Sequence, residues 1–297
     1  MSTPALPLRS MLFIPGDSEK KLAKADACGA DAVIIDLEDS VAPERKDHAR
    51  QLTREFLQTT PPGSRLLRYW VRPNPFDTGL TEADLSAIMP GEPDGLLQPK
   101  IDGPADVAKL SHWMDELEGG RDGVRIIPVA TETARAPFAL GDFAGAKLPR
   151  LAGLTWGAED LAAALGASTN RGADGEWSFT YKLCRSLTLM AAYAANVQAI
   201  ETLYADFRDE AGLRASSRAA RAEGFTGRLA IHPAQVSPIN ECFTPSADEI
   251  AHAERVLAAF AANPGAGTVG LDGKMIDIPH KKQAERVIAQ ARAFNAG

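Results

Sequence analysis

The sequence predicts an α/β protein of the (β/α)₈ TIM barrel type with a C-terminal helical extension. Three observations predict it. Eight short β-rich runs are spread along the chain, helical patterns lie between them, and several runs are apolar throughout instead of alternating. Continuous apolar character is what parallel strands covered on both faces require. In a chain of 297 residues, eight strand–helix units fill one barrel and leave a tail.

The expected strands are, in order, MLFIP, DAVIIDLED, LLRYWVRPN, GLLQPK, VRIIPVA, LAGLTW, AIETLYADF and RLAIHP. Between them, EKKLAKADAC, PERKDHARQLTREFL and DEAGLRASSRAARAEG have the polarity and spacing of amphipathic outer helices. Gly-Ala-Asp after the first helix and Gly-Phe-Thr-Gly after the last of these read as helix stops leading into a strand. A doubly wound open sheet is the rival, but PGDSEKK is not the glycine-rich first turn that fold advertises. The expected division is a catalytic barrel over residues 1–243 and an extension over 244–297. The extension reads as a helix (SADEIAHAERVLAAFAAN), a glycine-rich turn region (PGAGTVGLDGKMIDIPH) and a last helix (KKQAERVIAQARAF). A barrel does not need it to close, so it suits decoration, an oligomer contact, or a flap over an active site.

With 45% hydrophobic and 24% charged residues, the chain has ample material for a core and no sign of disorder. Its 32 basic and 39 acidic residues give a net charge of −7, which argues against a nucleic-acid surface and leaves a locally basic cleft for an anion open. Cys28, Cys184 and Cys242 are far apart, with no C-x-x-C, and read as small buried hydrophobes. No run is long and apolar enough to span a membrane, and MSTPALPLR lacks an apolar signal core. A cytoplasmic protein without a membrane partner is expected.

In a barrel the working groups stand at the C-terminal ends of the strands. Those ends read Pro15-Gly16, Glu38-Asp39, Arg72, Lys100, Glu132, Glu159-Asp160, Asp206 and His232. Any single carboxylate there is as well explained as an N-cap or a solvated loop residue, but a ring of them is not. Glu132 and Asp160, from neighbouring strands, are the candidate metal pair. Oxygen ligands with no His/Cys cluster favour Mg²⁺ or Mn²⁺ over zinc. Arg72 suits the carboxylate of a small acid, because a guanidinium meets both oxygens at once. Glu38, Asp39 and Lys100 are expected around this set, orienting waters and balancing charge, with Lys100 an ion-pair partner instead of a catalytic base.

The order RSMLFIPGDSEKKLAKADACGADAVIIDLEDSVAPERKDHAR, VRPN, LQPK, VATETARA, LTWGAEDLAAALGA, YADFRDEAGLRA, GFTGRLAIHPAQV and LDGKMIDIP resembles the citrate lyase β-subunit-like proteins of the HpcH/HpaI aldolase group. The likeness covers nearly the whole chain and is closest in pattern to malyl-CoA and citramalyl-CoA lyases. It implies a Mg²⁺-dependent carbon–carbon lyase acting on acyl-CoA thioesters and a small α-keto acid, as a homotrimer or hexamer. By position, Glu132 and Asp160 match metal ligands and Arg72 the arginine that holds the keto acid. Phe13, Lys24, Glu159, His232 and Pro233 match positions lining the coenzyme A site. Asp277 matches an aspartate that reaches a neighbouring subunit's active site, where it is the candidate acid/base. Its spacing reads equally as the N-cap of the last helix. Asp272, nearby, is the less favoured choice. Two departures stand out: Ser18 replaces a phosphate-binding arginine, leaving Lys20 or Lys21 to grip the phosphate, and Pro73 follows Arg72 in place of a branched apolar residue. A citrate lyase β subunit, a malyl-CoA thioesterase and a non-catalytic scaffold barrel are the alternatives.

Overall fold

The computed structural model describes residues 7–118 and 123–295. Within it the chain forms two compact units, one over residues 8–240 and one from Glu241 onward.

The larger unit is built on eight parallel strands: β1 (Ser10–Pro15), β2 (Ala32–Asp36), β3 (Arg68–Arg72), β4 (Gly95–Gln98), β5 (Arg125–Pro128), β6 (Gly153–Leu154), β7 (Gln198–Glu201) and β8 (Gly227–Ala230). All eight lie where apolar runs were expected. They pair in the order β5-β4-β3-β2-β1-β8-β7-β6. The two ends meet through the bridges Ile126↔Leu151 and Val129↔Thr155, so the sheet curls into a nearly closed TIM barrel. The join between β5 and β6 thus consists of two separate bridges instead of a continuous ladder.

Residues paired across neighbouring strands share a face, and Met11, Ala32, Ile34, Trp70, Leu97, Ile127, Ile200 and Leu229 form one buried cluster. Trp70 pairs with Gly95, and the ring fills the space a side chain at Gly95 would need. The outer layer comprises α1 (Glu19–Leu22), α2 (Lys46–Thr59), α3 (Thr81–Ile88), α4 (Pro104–Glu118), α5 (Ala136–Ala139), α6 (Glu159–Ala164), α7 (Phe179–Ala194) and α8 (Glu210–Glu223). In α8 the Asp209 carboxylate caps the Gly212 N–H and Gly224 ends the helix at φ 123, as the sequence signals required. The first expected helix is shorter than read. EKKLAKADAC forms one α-helical turn and a 3₁₀ turn over Ala25–Ala27, because only Leu22 and Ala25 turn inward and leave too narrow an apolar stripe for a long helix.

After α9 (Val236–Phe243), the extension contains α10 (Ala247–Ala261), β9 (Thr268–Leu271), β10 (Lys274–Asp277) and α11 (Ile278–Asn295). The glycine-rich stretch is therefore an antiparallel hairpin. Asp272 at φ 52 and Gly273 at φ 75 form its turn, with both central residues left-handed as a tight hairpin demands. Val256, Phe260, Val269, Ile276 and Ala284 form this unit's own core. No helix among the described residues is long and apolar enough to cross a membrane.

Candidate active site at the barrel mouth

The parallel register sets Asp36, the last residue of β2, beside Arg72, the last of β3. The two form a paired contact, Nε to Oδ1 at 2.7 Å and Nη2 to Oδ2 at 2.8 Å. Nη1 lies 2.9 Å from Glu38 Oε2, an ion pair without hydrogen-bond geometry. The Phe13 ring sits 4.8 Å from the guanidinium carbon, a cation–π contact from β1. Burial works against the charge on Arg72, but the Asp36 pairing outweighs it and raises its pKa. Burial likewise opposes ionisation of Asp36, and Arg72 overrides it, so that carboxyl titrates low. The pair is a fixed zwitterion. One edge of the guanidinium is committed to Asp36, which leaves N–H groups on the Nη side for a ligand.

Asp36 also accepts the backbone N–H groups of Glu38 and Ser40, at 2.9 and 3.0 Å. Lys46 Nζ donates to the Leu37 and Glu38 carbonyls, each at 2.7 Å. The loop after β2 is thereby tied down from both sides. Beyond Pro73, Asn74 donates through its backbone and side chain to Asp84, both at 2.7 Å, and so fixes the loop after β3.

Lys100 lies just beyond β4 with φ 50, an unusual conformation for a residue with a side chain. Its backbone N–H donates to Glu132 Oε2 at 2.9 Å. Its ammonium hydrogen-bonds Glu38 and lies 3.2 Å from Asp160 Oδ1 and 3.8 Å from Asp39 Oδ2. Burial opposes the ammonium's charge, but Glu38 holds its pKa above the usual lysine range. That agrees with an ion-pair partner and not a base. Glu132, only 7% exposed, is pushed up to about 8 by burial and then by the negative charges of Asp160 and Glu38. Burial also raises Glu38, against the pull of Arg72 and Lys100.

Opposite Glu132, a Cβ at Gly157 would fall 2.7 Å from Oε1, so the glycine keeps the space in front of the carboxylate. Thr131 and Gly157 exchange hydrogen bonds, hydroxyl to carbonyl at 3.2 Å and amide to hydroxyl at 3.1 Å. They lock the loop after β5 to the loop after β6. No cluster of three or more His, Cys, Asp or Glu suited to a metal occurs among the described residues. A buried carboxylate raised by its acidic neighbours, with Asp160 half-buried beside it, nevertheless fits Mg²⁺. That ion takes one or two carboxylates and completes its shell with water and substrate oxygens, and its charge would relieve the repulsion that lifts Glu132.

A cleft of about 530 Å³, lined by Glu38, Lys46, Asn74, Pro75 and Lys100, adjoins this cluster. A larger one of about 630 Å³ lies between α7, α8 and the residues that follow β7. Its charges are already matched, Arg185 to Glu201 at 2.6 Å and to Glu223, and Arg171 lies 3.7 Å over Trp177.

The remaining candidates of the barrel follow its strands. Glu159 is exposed at the start of α6, and Lys24, Lys20 and Lys21 are exposed near α1. Exposed His232 and Pro233 follow β8; the imidazole stacks on Phe207 with centroids 4.7 Å apart and accepts the Ala234 N–H. Asp206 is not a strand end: β7 stops at Glu201, and Asp206 accepts the Arg208 N–H at 3.0 Å in the loop. The acid at that strand end is Glu201, which holds Trp156 Nε1 at 2.6 Å and Arg185. Asp277 ends β10 in the other unit, where its carboxylate pairs with the His280 imidazole at 2.5 Å. Asp272 pairs with Arg255 at 2.9 Å. Sequence reasoning missed Asp36, Lys46 and Gly157. Asp36 alone left a signal, as an acid closing the apolar run AVIID.

Residues 9–233 match the profile of HpcH/HpaI aldolase/citrate lyase. The chain belongs to this family. Residues 189–296 match a second profile, a carbon–carbon bond lyase of the TIM-barrel fold. The chain is 36% identical to a (3S)-malyl-CoA thioesterase of Cereibacter sphaeroides over 100% of its length and 99% of the relative's. It is 33% identical to the mitochondrial citramalyl-CoA lyase of Rattus norvegicus, covering 97% and 87%. Among solved structures it superposes on CitE of Mycobacterium tuberculosis in complex with magnesium, acetoacetate and coenzyme A. The TM-score is 0.80 with 34% identity, covering 97% of this chain and 99% of that one. Family membership and the carbon–carbon lyase class both agree with the sequence resemblance, and magnesium and coenzyme A do occur in a homologue.

Proposed function

We propose that the protein is a Mg²⁺-dependent lyase for a 3-hydroxyacyl-CoA such as malyl-CoA or citramalyl-CoA, releasing acetyl-CoA and glyoxylate or pyruvate, or joining them in reverse. The observation that carries this reading is a guanidinium fixed by Asp36 beside the Glu132–Asp160 carboxylates. That pairing suits an α-hydroxy or α-keto acid, with one group for its carboxylate and an oxygen-rich cation seat for its remaining oxygens.

Glu132 and Asp160 would hold Mg²⁺, which when bound supplies Lewis-acid polarisation of the acid's oxygens, worth several kcal/mol in such sites. Arg72 orients the acid through its Nη N–H groups, and Asp36 keeps it from turning away. In cleavage the hydroxyl passes its proton to an ionised carboxylate, that of Asp277, and its carbon becomes the keto carbon. The C–C bonding pair passes to the acetyl carbon, which must then be protonated. Asp277 of an adjacent subunit is the proposed proton carrier. His280 holds its carboxylate ionised, the form that can take up the hydroxyl proton and then return it to the acetyl carbon. Phe13, Lys24, Glu159, His232 and Pro233 are the proposed coenzyme A surroundings, within a homotrimer or hexamer in which the extension, from about residue 244, serves as the contact.

Purified protein assayed with malyl-CoA, citramalyl-CoA and Mg²⁺ is expected to release keto acid. Glu132→Gln and Asp160→Asn are expected to lose the Mg²⁺-dependent activity, and retention in either would overturn the metal assignment. A thioesterase is the second reading, favoured by the relative of that name that matches the whole chain. Release of free thiol without keto acid would select it.

A further inference from the structure

One residue touches both proposed metal ligands, by two different parts of itself. The Lys100 backbone N–H donates to Glu132 Oε2 at 2.9 Å, while its ammonium stands 3.2 Å from Asp160 Oδ1. The left-handed backbone at φ 50 lets the amide face one ligand and the side chain the other, a conformation that costs energy in a non-glycine residue and marks a functional constraint. The ammonium's other partner, buried Glu38, is fixed in turn by Arg72 and by the tied-down loop after β2. The carboxylates of Asp36, Glu38, Asp39, Glu132 and Asp160 crowd this mouth, with the charges of Arg72 and Lys100 set among them.

Resting on the metal reading above, we infer that Lys100 is a tethered counter-cation: it competes with the divalent cation for Asp160, and its bond to Glu38 limits how strongly it competes. A cation on Asp160 shares that carboxylate with a fixed positive charge, and like charges at such separations repel appreciably in a partly buried site. Lys100 therefore keeps cation affinity low in the protein alone, so firm binding waits for the oxygens of a substrate. It is a positioning residue that acts through Asp160 and Glu132.

The test is calorimetric titration of the full-length protein with MgCl₂, and with MnCl₂, in the absence of substrate. Lys100→Gln should tighten cation binding by at least about threefold, while Lys100→Arg, which keeps the charge, should stay nearer to wild type. Glu38→Gln should weaken binding by releasing Lys100 toward Asp160. In the Lys100→Gln background that weakening should shrink by at least about threefold, the mark of coupling between the two side chains. A melting curve for each variant reports folding. Unchanged or weaker binding in folded Lys100→Gln overturns the inference, as does an equal cost of Glu38→Gln in both backgrounds. If neither the wild-type protein nor folded Lys100→Gln binds either cation, the metal reading itself fails and takes the inference with it. Cation binding that ignores Lys100 sinks the inference alone.

Discussion

At the scale of single residues, the site depends on what faces each carboxylate. Gly157 illustrates it. Gly157→Ala would place a methyl 2.7 Å from Glu132 Oε1 and 2.8 Å from its Cγ, so the carboxylate must rotate. The expected outcome is cation affinity reduced by about tenfold or more, the size of effect seen when a group that orients a ligand is lost, with only a modest fall in thermal stability. Titration of the variant with Mg²⁺ beside a melting curve checks it, and wild-type affinity would refute the steric role. Glu132, Asp160, Arg72 and Lys100 were legible in sequence because charged residues ending apolar runs announce themselves. Asp36 and Gly157 were not. Asp36 closes the run AVIID, but Glu38-Asp39 two residues on carry the same signal, and the partner of Asp36 becomes known only once β2 and β3 pair in register. Gly157 matters for an absence of atoms, which no residue pattern reports.

At the scale of elements, helix ends were more readable than helix lengths. The Asp209 cap and Gly224 stop of α8 follow from residue type alone, whereas the brevity of α1 depends on how little of it the barrel covers. Asp209→Ala removes the acceptor for Gly212 N–H and for the Tyr204 hydroxyl, and should lower the midpoint of chemical denaturation, as loss of an N-cap does. A loss within error of zero would mean α8 is held by packing alone. The hairpin β9–β10 was read as a glycine-rich turn because each strand has only four residues. Its Asp272-Gly273 turn is nonetheless the strongest short-range hairpin signal a sequence carries. Asp206 failed for a related reason: the run AIETLYADF continues past the point where backbone pairing stops at Glu201, so the strand end was placed too late.

At the scale of the whole molecule, the proposed proton carrier and the proposed metal ligands lie in different compact units. If Asp277 serves a neighbour's barrel, Asp277→Asn should assemble and bind Mg²⁺ normally yet turn over orders of magnitude more slowly. Co-expression of Asp277→Asn with Glu132→Gln should then recover activity that neither variant has alone, because some barrels regain an intact pair. Mixed assemblies as inactive as their parents would show that Asp277 does not act across subunits. The barrel as a whole was legible because its eight runs and their spacing repeat a single theme, while the way its ends join at β5 and β6 was not. That closure carries a consequence of its own. Glu132 and Asp160 stand on either side of the bridged β5–β6 seam, and Thr131 and Gly157 are hooked to each other across it. Small errors of twist add up from strand to strand around a barrel and gather where its ends meet. Here a local clasp at that join sets the spacing of the two carboxylates, so a change in distant strands can distort the barrel while the gap between the ligands keeps its gauge.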